Sequence, residues 1–404
     1  MAAAPGVPVK KDEAAPSAAT GEPPDGGFMS LGDLEEAASR KIPPALWNYV
    51  QGGAAEETTL RDNHAAFLRR TLRSRVLVDV TEIDPTTTLL GAPVNAPFFA
   101  CPTAYHGSIH PDAEMGTARA ASAAGVLAVF STLSSASLEQ IAAAAPAGPQ
   151  WFQLYLQPEF SASRRLVERA EKAGYSALVL TVDLPVLANR DRQAHGGFAV
   201  EGWPPLGNGP DIVGPPRGFD ARGGTFALRS EAGAGWKILD QLREVTDLPI
   251  VVKGVLTPDD ARLAVEHGAR GVVVSNHGGR QLDGAPASLD ALPEVVAAVG
   301  SRAEVYLDGG VRRGADIVMA LGLGARAVGL GRPILWGLGA GGERGVARVF
   351  SLLMVDLLTT MALTGRRRIS EIDPTVLGPD RRFGPPLPGS HGRLDGPGPE
   401  GRGP

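Results

Sequence analysis

Eight short apolar runs, each of strand length, alternate along this chain with amphipathic or alanine-rich segments of helix length, and that rhythm limits the fold more than any single motif. The runs are 96–101, 126–130, 151–156, 177–182, 249–252, 271–274, 305–307 and 327–330. The intervening helical patterns fall near 112–124, 135–145, 161–173, 236–245, 258–267, 288–299 and 313–322, with a long final one near 343–363. Strands separated by helices pair in parallel, and their continuous apolar character fits burial on both faces. Eight such units in roughly 270 residues match a (β/α)8 TIM barrel. The rival is an open doubly wound sheet, whose first turn should carry GxGxxG; here that turn reads CPTAYHG.

Ahead of the barrel, three helical patterns predict an N-terminal extension: one opened by Ser30, one after Pro43 and Pro44, and one over 54–67. Residues 1–27 and 379–404 are rich in Pro and Gly with little to bury, so both are expected to be disordered tails around a single domain over 28–378. The interval 184–234, after the fourth strand, is long and rich in Gly and Pro, as expected of a lid loop over the strand ends. A net charge of −5 with scattered basic residues suggests neither nucleic acid nor a membrane surface as partner. No apolar run reaches the about eighteen residues of a membrane span. The single cysteine, Cys101, excludes an intrachain disulfide and suggests a reducing, cytoplasmic setting.

Every strand run has a polar or glycine-rich signature at or near its carboxyl end, and a barrel gathers such ends on one rim. They are Pro102 to Ala104; Ser131 and Thr132; Gln153 with Tyr155; Thr181 to Asp183; Lys253 and Gly254; SNHGGRQ from Ser275 to Gln281; DGGVRRG from Asp308 to Gly314; and GRP from Gly331 to Pro333. In the sixth, His277 is a candidate base and Arg280 a candidate anion clamp; the plainer reading is a turn with two glycines and solvated polar residues. The last two end the seventh and eighth strands, where barrels commonly hold phosphate, and Arg312 and Arg332 could bond its oxygens. Turn glycines and surface arginines are the alternative there. Lys253 directly follows apolar strand residues, which suits either an anionic cofactor ring or a structural ion pair. His106 and His110 are expected to be ordinary loop residues, with His106 possible at the pocket mouth. Their spacing would suit a metal only on a helix, which Gly107 and Pro111 oppose, so no metal site is expected. Cys101 is expected to be a small buried hydrophobe.

SNHGGRQ, together with LTVD, VVKG, LDGGVRRG and GRP in this order, resembles the FMN-dependent α-hydroxy acid oxidase/dehydrogenase family, which includes glycolate oxidase, lactate oxidase and mandelate dehydrogenase. The resemblance implies oxidation of an (S)-2-hydroxy acid to the 2-oxo acid, with O2 or another electron acceptor taking the electrons. It implies His277 as base and Asp183 as the carboxylate that orients it. Arg190 and Arg280 would hold the substrate carboxylate, with Tyr49 and Tyr155 as hydroxyl partners. For FMN it implies Pro102, Thr103 and Ala104 beside the ring, and Ser131, Gln153, Thr181, Lys253 and Ser275 as ring and ribityl contacts. Asp308, Gly309, Gly310, Val311, Arg312, Gly331 and Arg332 would form the ribityl and phosphate site. It also implies a homotetramer. Leu133 stands where glycolate oxidase has a bulky tryptophan, and TLSS, TAYHG and WFQLY look similar to mandelate-type oxidases, 4-hydroxymandelate oxidase in particular. A mandelate-type substrate and hydrogen peroxide as co-product are therefore expected, with lactate, glycolate or a non-oxygen acceptor as alternatives. Readings of other kinds are an FMN isomerase, an inosinate-type dehydrogenase, or a flavin-binding barrel without hydroxy acid chemistry. The inosinate type needs a loop cysteine that Cys101 does not provide.

Overall fold

A computed structural model of the chain describes residues 27–196, 205–209 and 233–381. The expected tails lie almost wholly outside these residues, as does most of the expected lid loop. Three N-terminal helices come first: α1 (Leu31–Lys41), α2 (Pro44–Gln51) and α3 (Thr58–Arg69). Ser30 starts α1 with a reciprocal capping box, its hydroxyl accepting from Asp33 N while the Asp33 carboxylate accepts from Ser30 N. A hairpin of β1 (Thr87–Leu89) and β2 (Ala92–Val94) follows, which the strand pattern did not anticipate because each strand is only three residues long.

The barrel then closes with all eight anticipated strands, every pair parallel. They are β3 (Phe98–Ala100), β4 (Leu127–Ser131), β5 (Gln150–Leu154), β6 (Leu178–Thr181), β7 (Ile250–Val255), β8 (Gly271–Val274), β9 (Glu304–Asp308) and β10 (Ala327–Leu330), with β10 pairing back to β3. The helices are α4 (His106–Ile109), α5 (Ala113–Ala124), α6 (Leu138–Ala144), α7 (Phe160–Ala173), α8 (Asp191–His195), α9 (Lys237–Arg243), α10 (Pro258–Glu266), α11 (Ser288–Val299), α12 (Gly314–Gly322) and α13 (Arg332–Leu363).

Two hydrophobic cores result. The larger lies between strands and helices, and the smaller fills the barrel with Phe99, Trp151, Tyr306 and aliphatic neighbours, closed at the lower end by Leu89 and Val94 of the hairpin. Tyr306 meets both Phe99 and Trp151 edge to face, at centroid distances of 6.0 and 5.6 Å. Helix α13 corrects the reading of the carboxyl-terminal run. It starts at Arg332 rather than near 343, and its backbone leaves helical geometry at Gly341 and Gly342. By length and composition it is long and apolar enough to cross a membrane, unlike any run expected from the sequence. Here, however, it packs against α1, α5 and α12, and residues such as Trp336, Phe350 and Leu357 are buried.

Candidate active site

The anticipated ring of polar groups sits at the upper rim, and it is built from consecutive strands. On one side Ser131 Oγ donates to Gln153 Oε1 (3.0 Å) and Gln153 Nε2 to Thr181 Oγ1 (3.1 Å), joining β4, β5 and β6. On the other, Lys253 Nζ donates to Ser275 Oγ (3.0 Å) and lies 3.3 Å from Asp308 Oδ2, while Ser275 Oγ donates to Asp308 Oδ1 (2.6 Å). Burial works against the Lys253 charge, but Asp308 and Asp183 outweigh it and hold the ammonium above its ordinary range. Cys101, buried as expected, has a polar role as well: its thiol lies 3.8 Å from Asp308 Oδ2, and burial together with that carboxylate keeps it protonated.

His277 stands above this floor with a backbone φ of +59°, a left-handed conformation unusual for a residue bearing a side chain. Its Nδ1 pairs with Asp183 Oδ1 at 2.9 Å. The proton on Nδ1 leaves Nε2 as the acceptor. Burial pulls the imidazole below its ordinary 6.5 against the pull of Asp183, and Lys253 and Arg190 add to the lowering, so His277 is neutral at pH 7. Burial opposes ionisation of Asp183 as well, yet the imidazole, which is protonated at the acid pH where a carboxyl titrates, and Lys253 hold its carboxyl below the usual range. The close approach of Asp183 needs Gly254, whose φ is +110° and where an added Cβ would lie 2.6 Å from the Asp183 side chain. Gln281 was polar in the sequence without a role. Its Nε2 donates to the carbonyls of Asp183 (2.8 Å) and Val186 (2.9 Å), fixing the backbone that carries the carboxylate.

The guanidiniums gather beside this pair. Arg190 Nε donates to Arg280 O (3.3 Å), and Arg280 lies over the Tyr49 ring at 4.9 Å while donating to Tyr49 O and Gly52 O. Arg332 also donates to Gly52 O (3.0 Å), as well as to Val50 O and Gly278 O, so one carbonyl joins Arg280 and Arg332. Tyr155, on the segment after β5, is buried and within electrostatic reach of Lys253. Pro102, Thr103 and Ala104 follow β3 after Cys101, half-buried. Gly309 and Gly310 take positive φ after β9, Val311 is buried, and Gly331 caps α13.

These residues fit FMN. Burial drives Arg332 well below the usual arginine range, and Arg280 and Arg312 reinforce the effect, with Glu57 as the opposing charge. Such crowding of cations suits anionic ligands, and FMN carries a phosphate. Arg312 lies over the Trp336 ring at 4.7 Å, and the indole Nε1 is buried with no hydrogen-bond partner among the described residues, a donor set with spare capacity for an anion.

The first-loop histidines differ from expectation. Residues His106–Ile109 do form a single helical turn despite Gly107, but the two rings part. His106 is buried between Thr103 Oγ1 (Nε2, 2.6 Å) and Thr117 Oγ1 (Nδ1, 3.1 Å), whereas His110 Nδ1 accepts from Asp112 N. No group of potential metal ligands occurs among the described residues. Sequence reasoning also missed Asn208, a described residue of the long loop. Its side chain donates to Thr132 O (2.8 Å) and accepts from Leu138 N (2.9 Å), anchoring that segment beside the strand ends. Asn63 and Asn276 went unassigned too, since their pairing spans 213 positions and leaves no local pattern.

Comparison with known proteins agrees with this geometry. Residues 38–379 match the sequence model of a family described as FMN-dependent dehydrogenase. The chain is 45% identical to mouse 2-hydroxyacid oxidase 2 over 350 residues, covering 87% of this chain and 98% of that protein. It is 46% identical to L-lactate oxidase of Nostoc sp. (86% and 98% covered) and 42% identical to spinach glycolate oxidase (87% and 96%). Solved structures of mandelate oxidase, one with benzoyl-formic acid and one with (S)-2-phenylpropionate, align at a TM-score of 0.78 with 40% identity, covering 87% of this chain and 98% of theirs.

Proposed function

The chain belongs to the FMN-dependent dehydrogenase family and oxidises 2-hydroxy acids with FMN as cofactor, and from that premise we propose that its substrate is an (S)-2-hydroxy acid of the mandelate or 4-hydroxymandelate type, with O2 as acceptor. The balance is RCH(OH)COO⁻ + O2 → RCOCOO⁻ + H2O2. The observation that carries the chemistry is the His277–Asp183 pair beside the Arg190–Arg280 cluster on one rim. The guanidiniums of Arg190 and Arg280 bind the carboxylate and fix the substrate in one pose. Neutral His277 takes a proton at Nε2, and Asp183 stabilises the imidazolium that forms. Bound FMN supplies the two-electron acceptor, and the Lys253 ammonium offers a positive charge to it from the buried floor. Tyr49 and Tyr155 are assigned as hydroxyl partners of the substrate.

The substrate class rests on Leu133. It is half-buried at the rim, its carbonyl accepting from Tyr105 N (3.2 Å), and it leaves more room than the tryptophan of glycolate oxidase. The likeness to mandelate oxidase structures supports the same choice, and the relatives named as oxidases support O2. Anaerobic stopped-flow reduction with glycolate, lactate, mandelate and 4-hydroxymandelate tests it: fastest bleaching by the aryl acids is expected, and faster bleaching by glycolate overturns the substrate. Rapid reoxidation by dissolved O2 with peroxide release is expected; slow reoxidation overturns the acceptor. Leu133→Trp should lower kcat/KM for mandelate at least about tenfold relative to glycolate. The proposal includes a homotetramer, for which the exposed Val76 and Leu77 on one segment offer apolar surface, and sedimentation checks it.

A further inference from the structure

Asn63 lies on α3, outside the barrel, yet its side chain reaches the loop that carries His277. Asn63 Nδ2 donates to Asn276 Oδ1 and Asn276 Nδ2 donates to Asn63 Oδ1, both at 2.8 Å, and both residues are buried. Asn276 completes its bonding by accepting from Gly279 N (3.0 Å) and donating to Pro286 O (3.0 Å), while Asn63 Oδ1 accepts from Ser288 N (3.2 Å). On its other side, Asn63 closes on the turn after β9. An added Cβ at Gly310 would lie 2.1 Å from Asn63 O, and one at Gly309 would lie 3.3 Å from Asn63 Nδ2.

We propose that Asn63 is a positioning residue that clasps the His277 loop to the Gly309–Gly310 turn, so that filling the phosphate site and orienting the imidazole are coupled. The left-handed backbone at His277 requires outside restraint. The clasp supplies it on both sides, through Asn276 before the histidine and Gly279 N after it. At Gly310 only Gly fits against the Asn63 backbone carbonyl, and at Gly309 the turn faces the Asn63 side-chain amide, so the phosphate-side turn and the catalytic loop share one support. Coupling of two sites through a common element is reciprocal: weakening the clasp must affect FMN binding and imidazole placement together. The inference rests on His277 as the base.

The test uses Asn63→Leu, which removes the side-chain hydrogen bonds to Asn276 and Ser288 N while leaving the backbone carbonyl against Gly310, and Asn63→Asp, which keeps the acceptor for Ser288 N and loses the donor to Asn276. FMN affinity is read by fluorescence titration of apoprotein, and reduction at saturating FMN by stopped flow across pH. We expect Kd for FMN to rise about tenfold, within the usual range of such couplings. At saturating FMN, reduction should slow with its acid limb displaced, while Kd for the hydroxy acid changes little. Asn276→Leu should match Asn63→Leu, and the double variant should be no worse than either. Wild-type FMN affinity, or a wild-type rate and acid limb at saturating FMN with only the melting temperature lowered, overturns the proposal. Should Asn63→Leu fail to fold, Asn63→Asp carries the same readings. If wild-type holoenzyme is not reduced by any 2-hydroxy acid, the proposed function fails instead, and the FMN titration still decides the clasp.

Discussion

At His277 the proposed chemistry depends on an imidazole kept neutral, and the environment favours this in a way that sets the expected pH dependence. Only the neutral ring can take a proton, so the rate of reduction should be flat near neutrality and fall as pH drops through a value below the ordinary 6.5. Asp183 is the neighbour that raises the His277 value. Asp183→Asn should therefore move the acid limb further down while lowering the plateau, since the imidazolium loses its partner. Stopped-flow pH profiles of the two proteins check both signs. His277→Ala should retain yellow FMN and lose about 10²- to 10⁴-fold in reduction rate, because the role proposed for the imidazole is proton transfer and not holding the cofactor. A comparable loss of FMN affinity would contradict that division. Among these side chains, legibility tracked distance in sequence. His277, Arg280 and Lys253 stood directly after apolar strands and could be read there. Gln281 and Asn276 sat in the same motif without a visible role, because their partners Val186 and Asn63 come from other elements.

The elements place those side chains, and two of them carry predictions. Gly254 follows Lys253 on β7 in a conformation and a space that admit no side chain. Gly254→Ala should displace Asp183, cost about 1–3 kcal/mol of stability, and reduce the rate far more than it weakens FMN binding. Thermal melts together with single-turnover reduction separate the effects. The β1–β2 hairpin acts on stability alone: Leu89→Ala should cost about 2–5 kcal/mol, with activity per folded molecule unchanged. All eight barrel strands were readable because each is an apolar run bounded by turn residues. The hairpin was hidden, since three-residue strands around a Leu90–Gly91 turn carry too little alternation to separate from a loop. The start of α13 was hidden for another reason. Its GLGAGG segment reads as a breaker, and the backbone does break at Gly341 and Gly342, but the turns before it are helical and hold Arg332 and Trp336 at the site.

On the scale of the whole molecule, cofactor and fold should stabilise each other. Arg332 is buried among Arg280, Arg312 and Arg190, and an anion bound only by the folded chain relieves that repulsion. FMN at a hundredfold excess over its Kd should add about 2.7 kcal/mol, seen as a rise in Tm of several degrees. Inorganic phosphate should give a smaller rise, and a flat response to both would place the anion elsewhere. The plugged lower end has a further consequence for traffic. With Leu89, Val94, Phe99, Trp151 and Tyr306 filling the shaft, the described residues close the lower end and leave the rim as the way to the flavin site. Reductant and oxidant must then use the same entrance by turns, so initial rates against both should give parallel double-reciprocal lines, and an excess of hydroxy acid should obstruct its own turnover.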